Sequence, residues 1–145
     1  MIQVLIQAIA GSYEKRLYNE KTLEYKGTRR VSRPYPYAYG FVLGTHAEDE
    51  EAVDCYLLTK DGVKSGAVVE CEPIGLLEQD EDGEIDHKVL AAMPGQPAEV
   101  RPELLKELGD FIQAVFAEYP EVQVHVGRIL SPEAARNYIQ KFRNA

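Results

Sequence analysis

The chain has 145 residues, of which 45% are hydrophobic and 28% charged, and its formal net charge is −8. This length and composition predict one compact globular domain over residues 1–145. The negative charge argues against binding to nucleic acid, which needs concentrated Lys and Arg, and against binding to an anionic membrane surface.

The N-terminal part of the chain is predicted to be extended. Residues 2–9 are apolar, but no basic segment precedes them and they are too few to span a membrane. We therefore expect a buried first strand in a cytoplasmic protein. Residues 13–33 predict a hairpin or two short strands, and residues 34–40 contain two prolines that exclude a helix.

The remainder predicts further strands and two helices. Residues 102–118 carry apolar side chains at spacings of three and four, which is typical of an amphipathic helix. Ser131 followed by Pro132 predicts the start of a last helix. The further predicted strands are residues 41–43, 54–58, 66–77, 88–93 and 122–126, the third of them broken at Pro73.

This order of elements predicts the fold class. The strands do not alternate regularly with helices, which disfavours a doubly wound sheet. We expect an α+β domain in which a small, closed, antiparallel β-barrel has two C-terminal helices packed outside it. Cys55 and Cys71 each lie in an apolar, strand-like run and are expected to be buried free thiols.

Two acidic segments, residues 48–54 and 78–87, separate predicted strands. Taken alone, each is typical of a solvated loop. Asp54, however, opens an apolar strand, where a lone carboxylate is costly unless it is paired or bound to a metal. Asp86 and Lys88 stand two residues apart on one predicted strand, so their side chains share a face. They form either an ion pair or a magnesium ligand beside a phosphate anchor.

Four stretches form an ordered set of motifs. They are residues 35–41 (YPYAYGF), 45–58 (THAEDEEAVDCYLL), 66–93 and 116–119 (FAEY). In the same order they resemble the YPxNYGF, T-x-x-x-DGDPxDVLV, PG-x-V-x-x-x-PIG-x-L-x-x-x-D-x-x-x-x-D-x-K and FFxxYK segments of the family I inorganic pyrophosphatases. This resemblance covers most of the chain.

The resemblance implies a fold and a reaction. Family members have a five-stranded, OB-like barrel with flanking helices, which agrees with the order of predicted elements. They hydrolyse pyrophosphate with a water activated by metal ions, Mg²⁺ being the expected cofactor. The resemblance also implies a homo-oligomer, because bacterial relatives are commonly hexamers.

The resemblance further implies metal-binding and catalytic residues. The metal ligands that it implies are Asp49, Asp54, Glu81 and Asp86. Asp80 or Asp82 could replace Glu81 if the register shifts. Glu51 falls where the family has the aspartate that takes a proton from the attacking water, so Glu51 and Asp54 are the implied catalytic pair. The extra methylene of Glu51 matters because a displacement of about 1 Å can cost much of the rate.

Substrate-binding residues follow in the same way. Those that the resemblance implies are Lys15, Arg29, Arg30, Tyr39, Lys88 and Tyr119. Arg16 is an alternative to Lys15, and Arg33 is a further candidate for the substrate arginine.

Three further positions lose a charged residue of the family pattern. Gln7 and Leu17 stand where the family has glutamates, and Pro120 stands where it has a lysine that Arg128 could replace. These departures leave two other functions open. One is a degenerate homologue that binds without turnover, and the other is a hydrolase of another phosphoanhydride, such as a nucleotide or a longer polyphosphate.

Overall fold

The computed structural model describes residues 1–47, 51–96 and 99–144. Its strands are β1 (Ile2–Ala8), β2 (Glu14–Tyr18), β3 (Tyr25–Arg30), β4 (Ala38–Val42), β5 (Asp54–Leu57), β6 (Val68–Glu81), β7 (Glu84–Ile85), β8 (Lys88–Ala92) and β9 (Val124–Leu130). The two helices are α1 (Pro102–Phe116) and α2 (Pro132–Lys141).

Five strands close into a barrel. β1 pairs with β4, β4 with β5, β5 with β8, β8 with β6, and β6 returns to β1. The prediction of an OB-like, five-stranded barrel with two C-terminal helices is confirmed. The ring is not antiparallel throughout, however, because β5 and β8 run parallel. A parallel pair needs a long connection, and the whole of β6 and β7 lies between these two strands.

The second acidic segment is mostly strand rather than loop. β6 continues to Glu81, and its last residues pair with β9 on one side and β7 on the other. The prediction of a loop over residues 78–87 was therefore wrong for the first part of the segment. Backbone pairing on both sides of β6 outweighs the low strand propensity of the acidic residues.

Both helices begin at a proline that follows a residue in extended conformation. At the start of α2, the Ser131 side chain accepts a hydrogen bond from the backbone N–H of Ala134, as the sequence predicts. Within the described residues, neither helix combines the length and apolar character that a membrane crossing requires.

Two apolar clusters lie on opposite faces of the barrel strands. Cys55 of β5 and Val89 of β8 belong to the first cluster, whereas their neighbours Tyr56 and Leu90 belong to the second. Helix α2 completes the first cluster with Ala135 and Ile139. Helix α1 covers the second with Leu104, Leu108 and Ile112. Both cysteines are buried and free, as predicted.

The β2–β3 hairpin is a separate two-stranded sheet beside the barrel. Its register shifts between Leu17 and Tyr18, opposite Gly27, whose φ of +146° lies in a region that favours glycine. This bulge changes which side chains of β3 share a face.

Gly40 generates a stability prediction. A Cβ at Gly40 would lie 1.9 Å from the backbone oxygen of Leu5, on the paired strand β1. Because neither backbone can yield without breaking the barrel, we expect Gly40→Ala to lower the free energy of unfolding by about 3 kcal/mol. Urea unfolding followed by circular dichroism measures the change.

Gly109 supplies the matched control. It lies within α1, and a Cβ there would meet only Val126 Cγ1, at 4.0 Å. Gly109→Ala should therefore raise the free energy of unfolding by about 0.5–1 kcal/mol, because alanine favours the helix. Equal effects of the two substitutions would contradict the steric explanation.

Candidate active site

The parallel pairing of β5 and β8 builds the centre of the site. Asp54 and Lys88 are the first residues of these strands, and they are register partners. The Lys88 Nζ lies 2.6 Å from Asp54 Oδ2 and 2.9 Å from Asp86 Oδ2. Lys88 is only 6% exposed, so one buried ammonium holds two carboxylates from different parts of the chain.

The charge of Lys88 is stabilised by these contacts. Burial by itself lowers the pKa of Lys88, but the negative charge of Asp54, helped by that of Asp86, raises it well above its ordinary value. Burial would raise the pKa of Asp86, yet Lys88 and a hydrogen bond with Glu81 bring it below its ordinary value. The ammonium of Lys88 and the carboxylate of Asp86 therefore favour each other's charged forms.

A cavity of about 300 Å³ opens over this cluster. Barrel strands, the β2–β3 hairpin and the C-terminal half of α1 all contribute to its walls. Its charged and phenolic lining residues are Lys15, Arg29, Tyr35, Tyr39, Glu51, Asp54, Tyr56, Glu81, Asp86, Lys88 and Tyr119. Of the predicted site residues that the structure describes, all except Arg30 line this cavity.

Glu81 is the acidic residue of the β6–β7 hairpin that faces the cavity. Its burial, together with a hydrogen bond to Asp86 and the charge of that residue, raises the pKa of Glu81 to about 8. The proximity of the two carboxyls thus favours a protonated Glu81 beside an ionised Asp86.

Asp80 and Asp82, the alternatives to Glu81, are directed elsewhere. Asp80 Oδ1 lies 3.0 Å from His125 Nδ1. Asp82 Oδ1 accepts a hydrogen bond from the backbone N–H of Gln123 at 2.8 Å. Both contacts tie the hairpin to the region of β9, so these residues serve the fold.

Glu51 borders the cavity from the first acidic segment. Burial of its carboxyl, together with the negative charges of Asp54 and Glu20, raises the pKa of Glu51. A carboxylate with a raised pKa is a better proton acceptor at neutral pH than an ordinary one. Asp49, the other predicted ligand of this segment, lies outside the described residues.

The β2–β3 hairpin contributes two cationic side chains to the cavity. Lys15 of β2 and Arg29 of β3 are register partners and both line the cavity. Burial, only partly offset by Asp54, lowers the pKa of Lys15. An anion or further negative charge in the cavity would favour the protonated form of Lys15.

The alternative basic residues of the hairpin face away from the cavity. Arg30 lies over the Tyr13 ring, 5.3 Å from its centroid, so it does not join the other predicted residues. Arg16 likewise lies over Tyr25, at 4.6 Å. Adjacent residues of a strand point to opposite faces, which separates Arg30 from Arg29 and Arg16 from Lys15.

Tyrosines and the end of α1 form the remaining wall. Burial raises the pKa of Tyr39 well above its ordinary value, so its phenol stays protonated and can donate a hydrogen bond. Tyr119, which is 43% exposed, lies at the rim beyond α1. Tyr35 packs against Phe111 and also lines the cavity.

Sequence reasoning missed Gln79 and Tyr56. Both line the cavity and are buried. Among the described residues, the Gln79 side-chain oxygen meets no hydrogen-bond partner, although buried polar atoms normally have one. For Gln79 the alternation of β6 was an available signal, because it shares a face with Glu81 two residues on.

The departures from the family pattern have clear positions. Gln7 and Leu17 line a second cavity beside the first. Arg128, proposed to replace the missing lysine at Pro120, instead pairs with Glu78, its Nε lying 2.9 Å from Glu78 Oε1. Arg128 is not among the residues that line the site.

The donor chemistry of the cavity fits magnesium. In the described ranges, no three His, Cys, Asp or Glu side chains converge closely enough to hold an ion by themselves. Magnesium, however, prefers oxygen ligands and is usually held by one or two carboxylates, with water and phosphate oxygens completing its shell. Asp54, Glu81 and Asp86 provide such carboxylates around one cavity.

Comparisons with known proteins agree with this geometry. The family model described as inorganic pyrophosphatase matches residues 4–145. An inorganic pyrophosphatase of Nostoc sp. is 33% identical over 141 residues, which cover 90% of this chain and 80% of the relative. One of Sulfolobus acidocaldarius is 31% identical over 154 residues, covering 97% of this chain and 88% of the relative.

Solved structures show the same fold. An inorganic pyrophosphatase from Coxiella burnetii superposes with a TM-score of 0.86 at 23% identity, covering 97% of this chain and 91% of the other. A structure from Anaplasma phagocytophilum, described as an inorganic phosphatase, gives a TM-score of 0.86 at 24% identity, covering 97% and 90%. Because the family model spans nearly the whole chain, the chain belongs to the inorganic pyrophosphatase family.

Proposed function

We propose that this chain hydrolyses inorganic pyrophosphate to two phosphates in a magnesium-dependent reaction. The observation that carries the proposal is a single cavity in which Glu51, Asp54, Glu81 and Asp86 face Lys15, Arg29 and Lys88. Carboxylates suit a hard cation, and Lys and Arg suit phosphate oxygens. Family membership supports the same reaction, because the relatives are named inorganic pyrophosphatases.

In this proposal, the carboxylates at the base of the cavity hold magnesium. They are Asp54, Glu81 and Asp86, together with Asp49 as the family resemblance implies. When bound, magnesium neutralises phosphate oxygens and lowers the pKa of a coordinated water. Lys88 keeps Asp54 and Asp86 close together, since its ammonium lies between their oxygens.

The cations and phenols hold the substrate. Lys15 and Arg29 reach the cavity from the hairpin, opposite the carboxylates of the barrel. Tyr39 and Tyr119 donate hydrogen bonds to phosphate oxygens, because a protonated phenol is a donor. These groups stabilise the negative charge that builds up on the leaving phosphate.

In this proposal, Glu51 is the general base that accepts a proton from the attacking water. It lies next to Asp54 in the lining, and its raised pKa suits proton transfer from water near neutral pH. The side chain of Glu51 is one methylene longer than that of an aspartate, so its carboxylate lies farther from the backbone, and such a displacement affects the rate.

A second candidate is a binding protein without turnover. Gln7, Leu17 and Pro120 favour it, because each removes a charge that the family pattern has near the substrate. Magnesium binding without phosphate release would identify this function. The hexamer implied by the family resemblance and the cytoplasmic location expected from the sequence stay predictions.

Asp54→Asn tests the central role. We expect wild type to release phosphate from pyrophosphate only with magnesium, and Asp54→Asn to lower kcat/KM by about 100-fold or more, on the scale of a displaced catalytic group. Asp61→Asn, in an exposed turn, is the control and should match wild type. A wild type that releases no phosphate with magnesium would overturn the proposal.

Two neighbouring arginines test which side chain of β3 faces the substrate. Arg29→Gln removes a charged phosphate contact and should lower kcat/KM for pyrophosphate by about 10- to 100-fold. Arg30→Gln, the next residue, should leave kcat/KM within about twofold because Arg30 lies over Tyr13. Steady-state phosphate release measures both, and equal losses would contradict the assignment of Arg29.

Glu81 predicts a pH dependence of magnesium binding. Its pKa of about 8 means that the proton on Glu81 must leave before this carboxylate binds a cation. Magnesium affinity should therefore rise as pH increases from 6.5 to about 8 and level off above that. Calorimetry at several pH values measures this rise.

Two variants sharpen the pH measurement. Glu81→Gln should bind magnesium more weakly and lose most of the pH dependence in this range, since the titrating group is gone. Glu84→Gln, an exposed residue of β7, should keep it. A wild-type affinity that is constant between pH 6.5 and 8 would contradict a role for Glu81 as a ligand.

A further inference from the structure

A second cavity, of about 560 Å³, adjoins the candidate active site. Lys15, Arg29, Glu51 and Asp54 line both cavities. The two spaces therefore adjoin at these four side chains. We call them together the groove, which extends from the barrel carboxylates along the β2–β3 hairpin. A substrate longer than pyrophosphate could occupy both parts.

The far end of this groove is basic. Beyond the four shared residues, the described residues of its lining include Lys21 and Lys26 and one carboxylate, that of Glu20. Glu20 Oε1 already accepts a hydrogen bond from the backbone N–H of Ala52, at 3.1 Å. Neither Lys26 nor Arg29 forms an ion pair with another of the described residues. Cations without an ionic partner are ready contacts for an anionic group.

Two further residues that line the second cavity are uncharged. They are Gln7 and Leu17, at two positions where the family pattern has glutamates. Gln7 is buried, and its Nε2 donates a hydrogen bond to the backbone oxygen of Arg16. Because magnesium prefers carboxylate ligands, Gln7 and Leu17 are poor ligands for this metal. A phosphate here would be neutralised by lysine and arginine side chains.

The bulge in the hairpin explains why Lys26 faces the groove. In a regular strand, Lys26 and Arg29 are an odd number of residues apart and would point to opposite faces. The register shift opposite Gly27, with its φ of +146°, interrupts this alternation. Both side chains consequently line the same cavity. Bulges beside active sites commonly redirect a side chain in this way.

We propose that the groove binds linear inorganic tripolyphosphate, with two phosphates in the first cavity and the third against Lys26 and Arg29. This inference rests on the proposed function, because the same carboxylates and the same water perform the step. Glu51 lines both cavities, so it can accept the proton of the attacking water.

The proposed step is a hydrolysis. The oxygen of water forms a bond to phosphorus, and the bridging P–O bond breaks with its electron pair remaining on the leaving oxygen. A proton from water passes to Glu51 and then to solvent, and nothing is oxidised or reduced. The products are pyrophosphate and phosphate, and hydrolysis of the pyrophosphate then gives three phosphates per tripolyphosphate.

The test compares two substrates on three proteins. Phosphate release from tripolyphosphate and from pyrophosphate is measured with magnesium for wild type, Lys26→Gln and Lys60→Gln. For Lys26→Gln, the ratio of kcat/KM for tripolyphosphate to that for pyrophosphate should fall about tenfold, the effect of losing one charged phosphate contact. Lys60→Gln should keep the wild-type ratio, because Lys60 lies over the Tyr37 ring, outside the groove.

Each other outcome overturns a different statement. Pyrophosphate hydrolysis without tripolyphosphate hydrolysis overturns this inference and leaves the proposed function standing. An unchanged ratio in Lys26→Gln overturns the assignment of the third phosphate to the hairpin. Hydrolysis of ATP that depends on Lys26 and exceeds that of tripolyphosphate overturns the choice of an inorganic substrate. No phosphate from either inorganic substrate overturns the proposed function, and this inference with it.

Discussion

The structure depends on one buried ammonium. Lys88 is held between Asp54 and Asp86, at 2.6 and 2.9 Å, in a place almost closed to solvent. Removing one partner of a buried ion pair leaves an uncompensated charge and typically costs about 3–5 kcal/mol. The parallel pairing of β5 with β8 makes the contact possible, because both strands begin at the same edge of the barrel. The strand pairing that closes the barrel therefore also brings the charged residues of the site together.

Two pKa shifts lower the number of charged groups in the cavity. Glu81 has a raised pKa next to Asp86, and Lys15 has a lowered pKa because it is buried. Both shifts reduce the charge that the cavity carries without a ligand. A cation would favour the ionised form of Glu81, and an anion would favour the protonated form of Lys15. Metal and phosphate binding should accordingly support each other.

The hairpin determines how far the groove extends. It lies outside the barrel sheet, so it can change its register without disturbing the closed ring. Its bulge opposite Gly27 directs Lys26 and Arg29 to one face. The barrel residue Gln7, which lines the same cavity, is uncharged. The barrel thus supplies the predicted metal ligands, whereas the hairpin supplies the contacts that would distinguish substrates of different length.

The amino-acid sequence alone determined the fold class, the buried thiols, both helices and the shared face of Asp86 and Lys88, because these follow from local spacing, capping and the order of motifs. Tertiary structure decided what local spacing cannot express. It made β5 and β8 parallel, extended β6 through the acidic segment, and chose Arg29 over Arg30 and Glu81 over its acidic neighbours. The physical reason is the same each time: the direction of a strand side chain depends on the register with a partner that is distant in sequence.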